Sequence, residues 1–110
     1  MAGKEFTVDV VTPEAIIWSG QADFVSARTT EGEIGILAEH EPTMAALATG
    51  AVEIHGTEGI ITTVGIHGGF LQIFQNQVTL LTDRAEITEG GRDDAMRLAE
   101  ELRSLEETEL

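Results

Sequence analysis

Up to about Thr88, the sequence alternates between short apolar runs and turn-forming residues, and this pattern restricts the fold more than any other feature. In the first run, Phe6, Val8 and Val10 recur at every second position, which is the period of a strand with one buried face. Pro13 ends that run because a proline has no N–H to donate to a neighbouring strand. Roughly eight to ten such runs at spacings of ~8–12 residues predict a β-sandwich or a flattened barrel.

Three segments of this region carry local predictions. The dipeptide Ser19-Gly20 is expected to form a turn between two strands. Residues 44–47 are apolar but short, so they are compatible with either a helix or a strand. Residues 65–69 include three glycines without the lysine and hydroxyl residue of a phosphate-binding loop. These glycines indicate a structural role at a point where the backbone passes tightly.

The period of the sequence changes at Gly90-Gly91. Beyond these glycines the apolar residues recur at the spacing of one helix face, namely Ala95, Leu98, Ala99, Leu102 and Leu105. We therefore predict a mainly β chain in which a β-sandwich over residues 1–88 is followed by one helical segment over residues 89–110. The apolar stripe is expected to pack on the sandwich, to pack on another subunit, or to remain partly exposed.

The predicted helix also carries a pattern of charges. Asp93 and Asp94 fall in its first turn, where the helix dipole favours anions. Asp93 with Arg97, and Arg103 with Glu107, have the i, i+4 spacing of ion pairs that stabilise a helix by about 0.2–0.5 kcal/mol each. The sequence therefore predicts these two pairs.

The net charge narrows the class of partner. Twenty Asp and Glu against six Lys and Arg give a formal charge of −14, and the six cations are scattered along the chain. Nucleic-acid binding would need a basic stripe, and anionic lipid is disfavoured for the same reason. A basic or mixed-charge protein surface is the partner that such a chain fits best.

The residues that could carry chemistry do not form a recognised motif. The chain has no cysteine, and Ser19 and Ser26 lie outside any G-x-S-x-G segment. The three histidines lack the close spacing of metal ligands such as H-E-x-x-H. The N-terminus shows no apolar stretch of the kind found in signal peptides. The sequence therefore assigns no catalytic residue, no metal ligand and no cofactor.

Two alternatives stay open beside a non-catalytic protein that binds other subunits. A small metal-binding β-barrel enzyme could use His55 and His67, together with Glu53, which shares a strand face with His55. A free-standing regulatory module could instead bind a nucleotide through its C-terminal segment.

Several short motifs follow one another in a fixed order along nearly the whole chain. They are Val8–Glu14, Trp18–Gly20, Glu31–Leu37 with His40 and Pro42, Leu47, Gly50, Gly68–Leu71, Val78–Leu81 and Ala85-Glu86. In this order and at this spacing, they resemble the epsilon subunit of bacterial F-type ATP synthases.

The resemblance implies a β-sandwich that grips the gamma subunit of the central stalk and rests on the membrane ring of c subunits. Ion-driven rotation of this rotor is thereby coupled to ATP synthesis, and the subunit itself has no catalytic residue. Glu31, Gly32 and Glu33 match the family segment that faces the c-ring, and His40 and Thr43 match positions near gamma. The family subunit is peripheral to the cytoplasmic face of the cell membrane, and in some members its C-terminal helices reach the catalytic alpha and beta subunits, inhibit ATP hydrolysis or bind ATP.

Two departures from the family change these expectations. Ala38-Glu39-His40 stands where the family commonly has Pro-Gly-His, so we expect a differently shaped turn. Residues 89–110 leave room for one helix where the family commonly has two. The D-x-x-R-A motif that begins the first family helix is only partly present in this sequence. We therefore expect weak or absent inhibition of ATP hydrolysis and no ATP binding through this segment.

Overall fold

The computed structural model describes residues 4–109, without the side chains of Glu58 and of residues 106–109. In it, nine strands precede one long helix. The strands are β1 (Phe6–Val11), β2 (Ile16–Thr29), β3 (Gly32–Ile36), β4 (Thr43–Ala46), β5 (Gly50–Gly56), β6 (Ile61–His67), β7 (Phe70–Phe74), β8 (Gln77–Leu81) and β9 (Arg84–Thr88). A 3-10 turn, Thr57–Gly59, joins β5 to β6, and the helix α1 spans Gly91–Glu109. The predicted mainly β fold with one C-terminal helix is confirmed.

The nine strands form one continuous sheet that closes over a single core. Its order is β4-β7-β8-β1-β2-β5-β6-β9, with β3 paired to β2, and β1 with β8 is the parallel pair. Strands β7 and β6 lie far apart in this order, yet Leu71 of β7 and Ile66 of β6 belong to the same buried cluster. The sheet therefore folds into the two layers of a sandwich, and β2 passes from one layer to the other by pairing first with β1 and then with β3 and β5.

The turn predicted at Ser19-Gly20 is wrong, because β2 continues through both residues as one strand of 14 residues. Strand β1 offers pairing partners throughout, with Asp9 opposite Ser19 and Val8 opposite Gly20. The Ser19 hydroxyl donates a hydrogen bond to the Asp9 carboxylate. A Cβ on Gly20 would lie 2.9 Å from the Trp18 ring, so this glycine makes room for an aromatic ring in the middle of a strand.

Residues 44–47, for which a helix and a strand were both open, contribute to the edge strand β4. Its four residues pair with β7, from Thr43 opposite Ile73 to Ala46 opposite Phe70. The bridge between Leu47 and Thr29 then connects this edge to the end of β2. An apolar run too short to show a period thus becomes a strand through its neighbours.

Helix α1 packs on the outer face of the sandwich, against β5, β6 and β9. Ala95 and Ala99 are fully buried there, whereas Leu105 near the far end of the stripe is 51% exposed. A Cβ on Gly65 of β6 would lie 2.5 Å from the carbonyl oxygen of Ala95. Gly65 therefore permits a close approach of helix and sheet, which is the structural role predicted for the glycines of residues 65–69. The first half of the helix makes the closest contact with the sheet.

The ion pairs of the helix differ from those predicted. Arg97 pairs with Asp94 and Glu101 instead of Asp93. The Asp94 carboxylate is itself held by the hydroxyl of Thr88 at the end of β9, which places it beside the Arg97 guanidinium. Arg103 pairs with Glu100 at 2.6 Å, and the side chain of its predicted partner Glu107 lies outside the described part of the structure.

Candidate partner-binding surfaces

The hairpin turn between β2 and β3 presents the acidic residues that the resemblance assigns to the c-ring. Glu31, Gly32 and Glu33 are all exposed. The Thr29 hydroxyl fixes the turn, since it donates to the Gly32 carbonyl at 2.7 Å and accepts from the Glu31 N–H at 3.1 Å. Gly32 has φ 125°, and an added Cβ would meet open space. A glycine is therefore required here for the backbone conformation and not for lack of room. The turn is therefore a rigid acidic projection.

Glu33 has a partner on the helix. Its two carboxylate oxygens accept hydrogen bonds from Nη2 of Arg92 at 2.8 and 3.0 Å. This contact raises the pKa of the Arg92 guanidinium above its ordinary value, chiefly through the hydrogen bond and charge of Glu33. The acidic turn and the start of α1 are thus joined by a charge-assisted pair.

The loop before β4 holds the residues that the resemblance places near gamma. The Nδ1–H of His40 and the hydroxyl of Thr43 both donate to the Glu41 carbonyl, each at 2.9 Å. Glu39 precedes them with φ 65°, a left-handed conformation that favours glycine. Its N–H donates to Oδ1 of Asn76 at 2.6 Å, and its carboxylate pairs with Lys4, which raises the pKa of that lysine. The structure thus brings His40 and Thr43 together on an anchored loop.

One groove connects the acidic turn with β4. Residues 29–34 form one wall of this groove and residues 43–46 form the other. The predicted c-ring-facing residues and Thr43 therefore line a single groove, whereas His40 lies outside its lining.

An exposed apolar row crosses four neighbouring strands, β7, β8, β1 and β2. Phe70 pairs with Leu81, Leu81 with Val11, and Val11 with Ile16. Direct pairing places Phe70, Leu81 and Val11 on one face, and Ile16 adjoins them across an irregularity in the β1–β2 register. Phe70, Leu81 and Ile16 are 56%, 49% and 67% exposed. Sequence reasoning missed this row, although the alternation of β7 gave a signal: Phe70 falls on the face opposite to the buried Leu71. Apolar surface of this kind is typical of protein-binding sites.

The histidines of the metal-enzyme alternative do not meet. His55 lies opposite Ile61 at one end of the β5–β6 hairpin, and His67 ends β6 at the other, about 20 Å away along six strand residues. The ring of His55 stands 5.1 Å from the Phe24 ring, and Nδ1 of His67 is hydrogen-bonded to the Thr49 hydroxyl at 2.8 Å. Among the side chains that the structure describes, no cluster of three His, Cys, Asp or Glu could hold a metal ion. The pairing of His55 with His67 in one metal site is therefore wrong.

The fold and these surfaces define a small β-sandwich domain with one packed helix, an acidic turn and an apolar sheet face. Residues 5–88 match the family profile described as "ATP synthase, Delta/Epsilon chain, beta-sandwich domain". The chain belongs to this family, so the resemblance is confirmed. Across the described residues, no helix combines the length and apolar character needed to cross a membrane.

Curated relatives of the chain are named ATP synthase epsilon chain. The protein of Corynebacterium efficiens is 48% identical over 82 residues, which cover 74% of this chain and 66% of that protein. The protein of Streptomyces avermitilis is 37% identical over 98 residues, which cover 89% and 77% of the two chains. The chain thus spans about two thirds to three quarters of the length of these relatives.

Two solved complexes contain chains of similar fold. In the mitochondrial ATP synthase of Euglena gracilis, described with OSCP, F1 and c-ring, a chain superposes with a TM-score of 0.74 at 27% identity, covering 91% of this chain and 62% of that one. In the central stalk and c-ring of the Tetrahymena thermophila enzyme, the TM-score is 0.62 at 18% identity, with coverage of 78% and 69%. The second likeness concerns the fold alone.

Proposed function

We propose that this chain is the epsilon subunit of an F-type ATP synthase, a non-catalytic part of the central stalk that links gamma to the c-ring. It couples ion-driven rotation to ATP synthesis by holding these two rotor parts together. The observation that carries the proposal is the family match over residues 5–88, supported by 48% identity to an ATP synthase epsilon chain. The complex holds the subunit at the cytoplasmic face of the cell membrane as a peripheral protein.

Two surfaces divide this task. Glu31, Gly32 and Glu33 face the c-ring, where an acidic turn fits a basic or mixed-charge partner. His40 and Thr43 face gamma from the anchored loop before β4. The exposed apolar row supports a protein-binding role, because the centre of a stable interface needs buried apolar anchors. In this assignment residues 1–88 form the rotor-binding domain.

Residues 89–110 form the helical segment, which reaches the catalytic alpha and beta subunits only when it leaves the sandwich. The close contact of Gly65 with the helix backbone favours the docked position. Regulation of ATP hydrolysis by this segment is therefore weak, and no nucleotide is required for its function.

Affinity purification of the tagged chain from detergent-solubilised membranes tests the proposal. We expect gamma and the c-ring to co-purify with it, and vesicles reconstituted without the chain to lose ATP-driven ion pumping. Purification of the chain without any rotor component would refute the proposal.

Site-directed cross-linking tests the division between the surfaces. We expect a cysteine in place of Glu31 to cross-link to a c subunit, and one in place of His40 to cross-link to gamma. Ile60→Cys provides an exposed control position at the far end of the β5–β6 hairpin. Equal products from all three positions would contradict the assignment.

A further inference from the structure

The first turn of α1 is fastened to the sandwich at two separate strands. On one side, the Thr88 hydroxyl at the end of β9 donates to the Asp94 carboxylate. On the other side, Arg92 reaches Glu33 of β3, a residue 59 positions earlier in the chain. The second fastening is made by a residue of the acidic turn, so the proposed ring-facing surface and the helix share one contact.

Arg92 lies near other carboxylates besides Glu33. The charge of Glu53 on β5 also favours the cationic form of Arg92, in addition to Glu33. Both partners of the pair lie at the surface, with 44% of the Arg92 side chain and 52% of that of Glu33 exposed. Because Nη2 lies within hydrogen-bond distance of both carboxylate oxygens of Glu33, an incoming cation must share or displace this donor.

Glu31 is the natural contrast to Glu33. It is exposed in the same turn, two residues earlier, and has the same charge. Its backbone N–H is bound by the Thr29 hydroxyl. The two glutamates therefore share a location and a charge and differ in the contact that Glu33 makes with the helix.

We propose that Arg92 competes with the partner of the acidic turn for Glu33, and that the Glu33–Arg92 pair thereby couples occupancy of the turn to the docking of α1. This inference rests on the proposed function, which supplies the c-ring as the partner of the turn. A cationic group of the ring that binds Glu33 competes with Arg92 and loosens the first helical turn. Because coupling between two equilibria is reciprocal, release of the helix strengthens binding of the turn by the same factor.

Hydrogen exchange on the isolated chain tests whether the Glu33–Arg92 pair holds the helix on the sandwich. Peptides that cover residues 95–99 report the first helical hydrogen bonds. We expect E33Q and R92Q to accelerate their exchange by about twofold to fivefold at low ionic strength, in line with a partly exposed ion pair. The double variant should exchange no faster than the faster single variant, because both substitutions remove the same contact.

Glu31→Gln is the matched control and should leave the exchange of these peptides unchanged. Sodium chloride at about 0.5 M should reduce the difference between wild type and E33Q, since salt screens exposed charges. If E33Q and E31Q exchanged alike at low salt, the coupling would be refuted, whatever the partner of the turn is.

A second arm uses the purified c-ring in detergent. We expect ring binding to accelerate exchange of residues 95–99 in the wild type, and R92Q to bind the ring about twofold to fivefold more tightly, because Glu33 is then unoccupied. Ring binding that leaves both quantities unchanged overturns the coupling. Absence of ring binding contradicts the proposed function instead, and the isolated-chain comparison still decides whether Glu33 holds the helix.

Discussion

The sandwich interior and the interface between helix and sandwich are both buried, but they are built from different side chains. The interior is filled by large aliphatic residues with essentially no exposure, such as Ile54, Ile66 and Leu80. The helix interface is built from Ala95, Ala99 and Gly65, which let two backbones approach closely. The packing of the interior therefore depends on large side chains, and the packing of the interface depends on small ones. The interior should therefore be most sensitive to truncation of a side chain, and the interface to its enlargement.

Truncation of an interior residue should have the largest effect. We expect Leu80→Ala to lower the free energy of unfolding by about 2–5 kcal/mol, because it leaves a cavity in the fully buried cluster of the sandwich. Urea denaturation followed by circular dichroism measures this loss.

The neighbouring residue provides the control. Leu81 points to the opposite face of β8 and is 49% exposed, so Leu81→Ala should cost at most about 1 kcal/mol. Equal losses for Leu80 and Leu81 would show that the two faces of this strand do not differ as the structure indicates.

Enlargement should have the next largest effect, and it should act on the interface. A methyl group at Gly65 would lie 2.5 Å from the Ala95 carbonyl, and a backbone cannot yield as a side-chain tip does. We expect Gly65→Ala to destabilise docking of α1 by about 1–3 kcal/mol. Hydrogen exchange should show faster exchange in residues 95–102 and unchanged protection in β1 and β8.

Gly35→Ala is the matched control for this prediction. Gly35 is also a strand glycine, and its added methyl would lie 3.2 Å from the Phe24 ring, which can move by a few tenths of an ångström. Its effect on the helix should be small. Undisturbed helix exchange in Gly65→Ala would contradict the close approach on which the comparison depends.

The two regions also differ in how far the sequence predicts them. The sandwich was predictable because a two-residue period is a local property, visible in runs such as Phe6–Val10. The prediction of a turn at Ser19-Gly20 was wrong, because pairing with β1 overrides a local turn preference. The position of the helix was not predictable, since its apolar stripe fits several surfaces and its approach to Gly65 joins residues 30 positions apart.

The candidate surfaces show the same limit. The acidic turn depends on local turn chemistry, because its hairpin connection is only Thr30 and Glu31, between the paired residues Thr29 and Gly32. The contact of Glu33 with Arg92 joins residues 59 positions apart and has no signal in spacing. The apolar row requires the order of four strands, and a single sequence does not reveal the parallel pairing of β1 with β8.

A loop of the sandwich should respond to the removal of a side chain in a third way. Glu39 has φ 65°, where a Cβ costs about 1–2 kcal/mol relative to glycine. We expect Glu39→Gly to raise the free energy of unfolding by about 1 kcal/mol, reduced by the loss of its ion pair with Lys4. Glu41→Gly, without a left-handed backbone, should not stabilise the protein, and helix exchange should remain unchanged in both variants.

The smallest expected effect is a pH dependence of helix docking that is absent from the sandwich interior. The pKa of Asp94 lies below its ordinary value of 3.8, first because the Thr88 hydroxyl donates to its carboxylate and then because Arg97 pairs with it. A carboxyl group with a lowered pKa in the folded state stabilises that state above its unfolded pKa, and this contribution is lost as the pH falls through the folded value. Helix docking should therefore weaken below about pH 4. We expect exchange in residues 95–99, corrected for intrinsic rates, to rise relative to that in β1 between about pH 5 and pH 2.5. Asp94→Asn should raise it already at neutral pH and reduce this dependence, so an unchanged pH profile in that variant would show that another carboxyl group controls the docking.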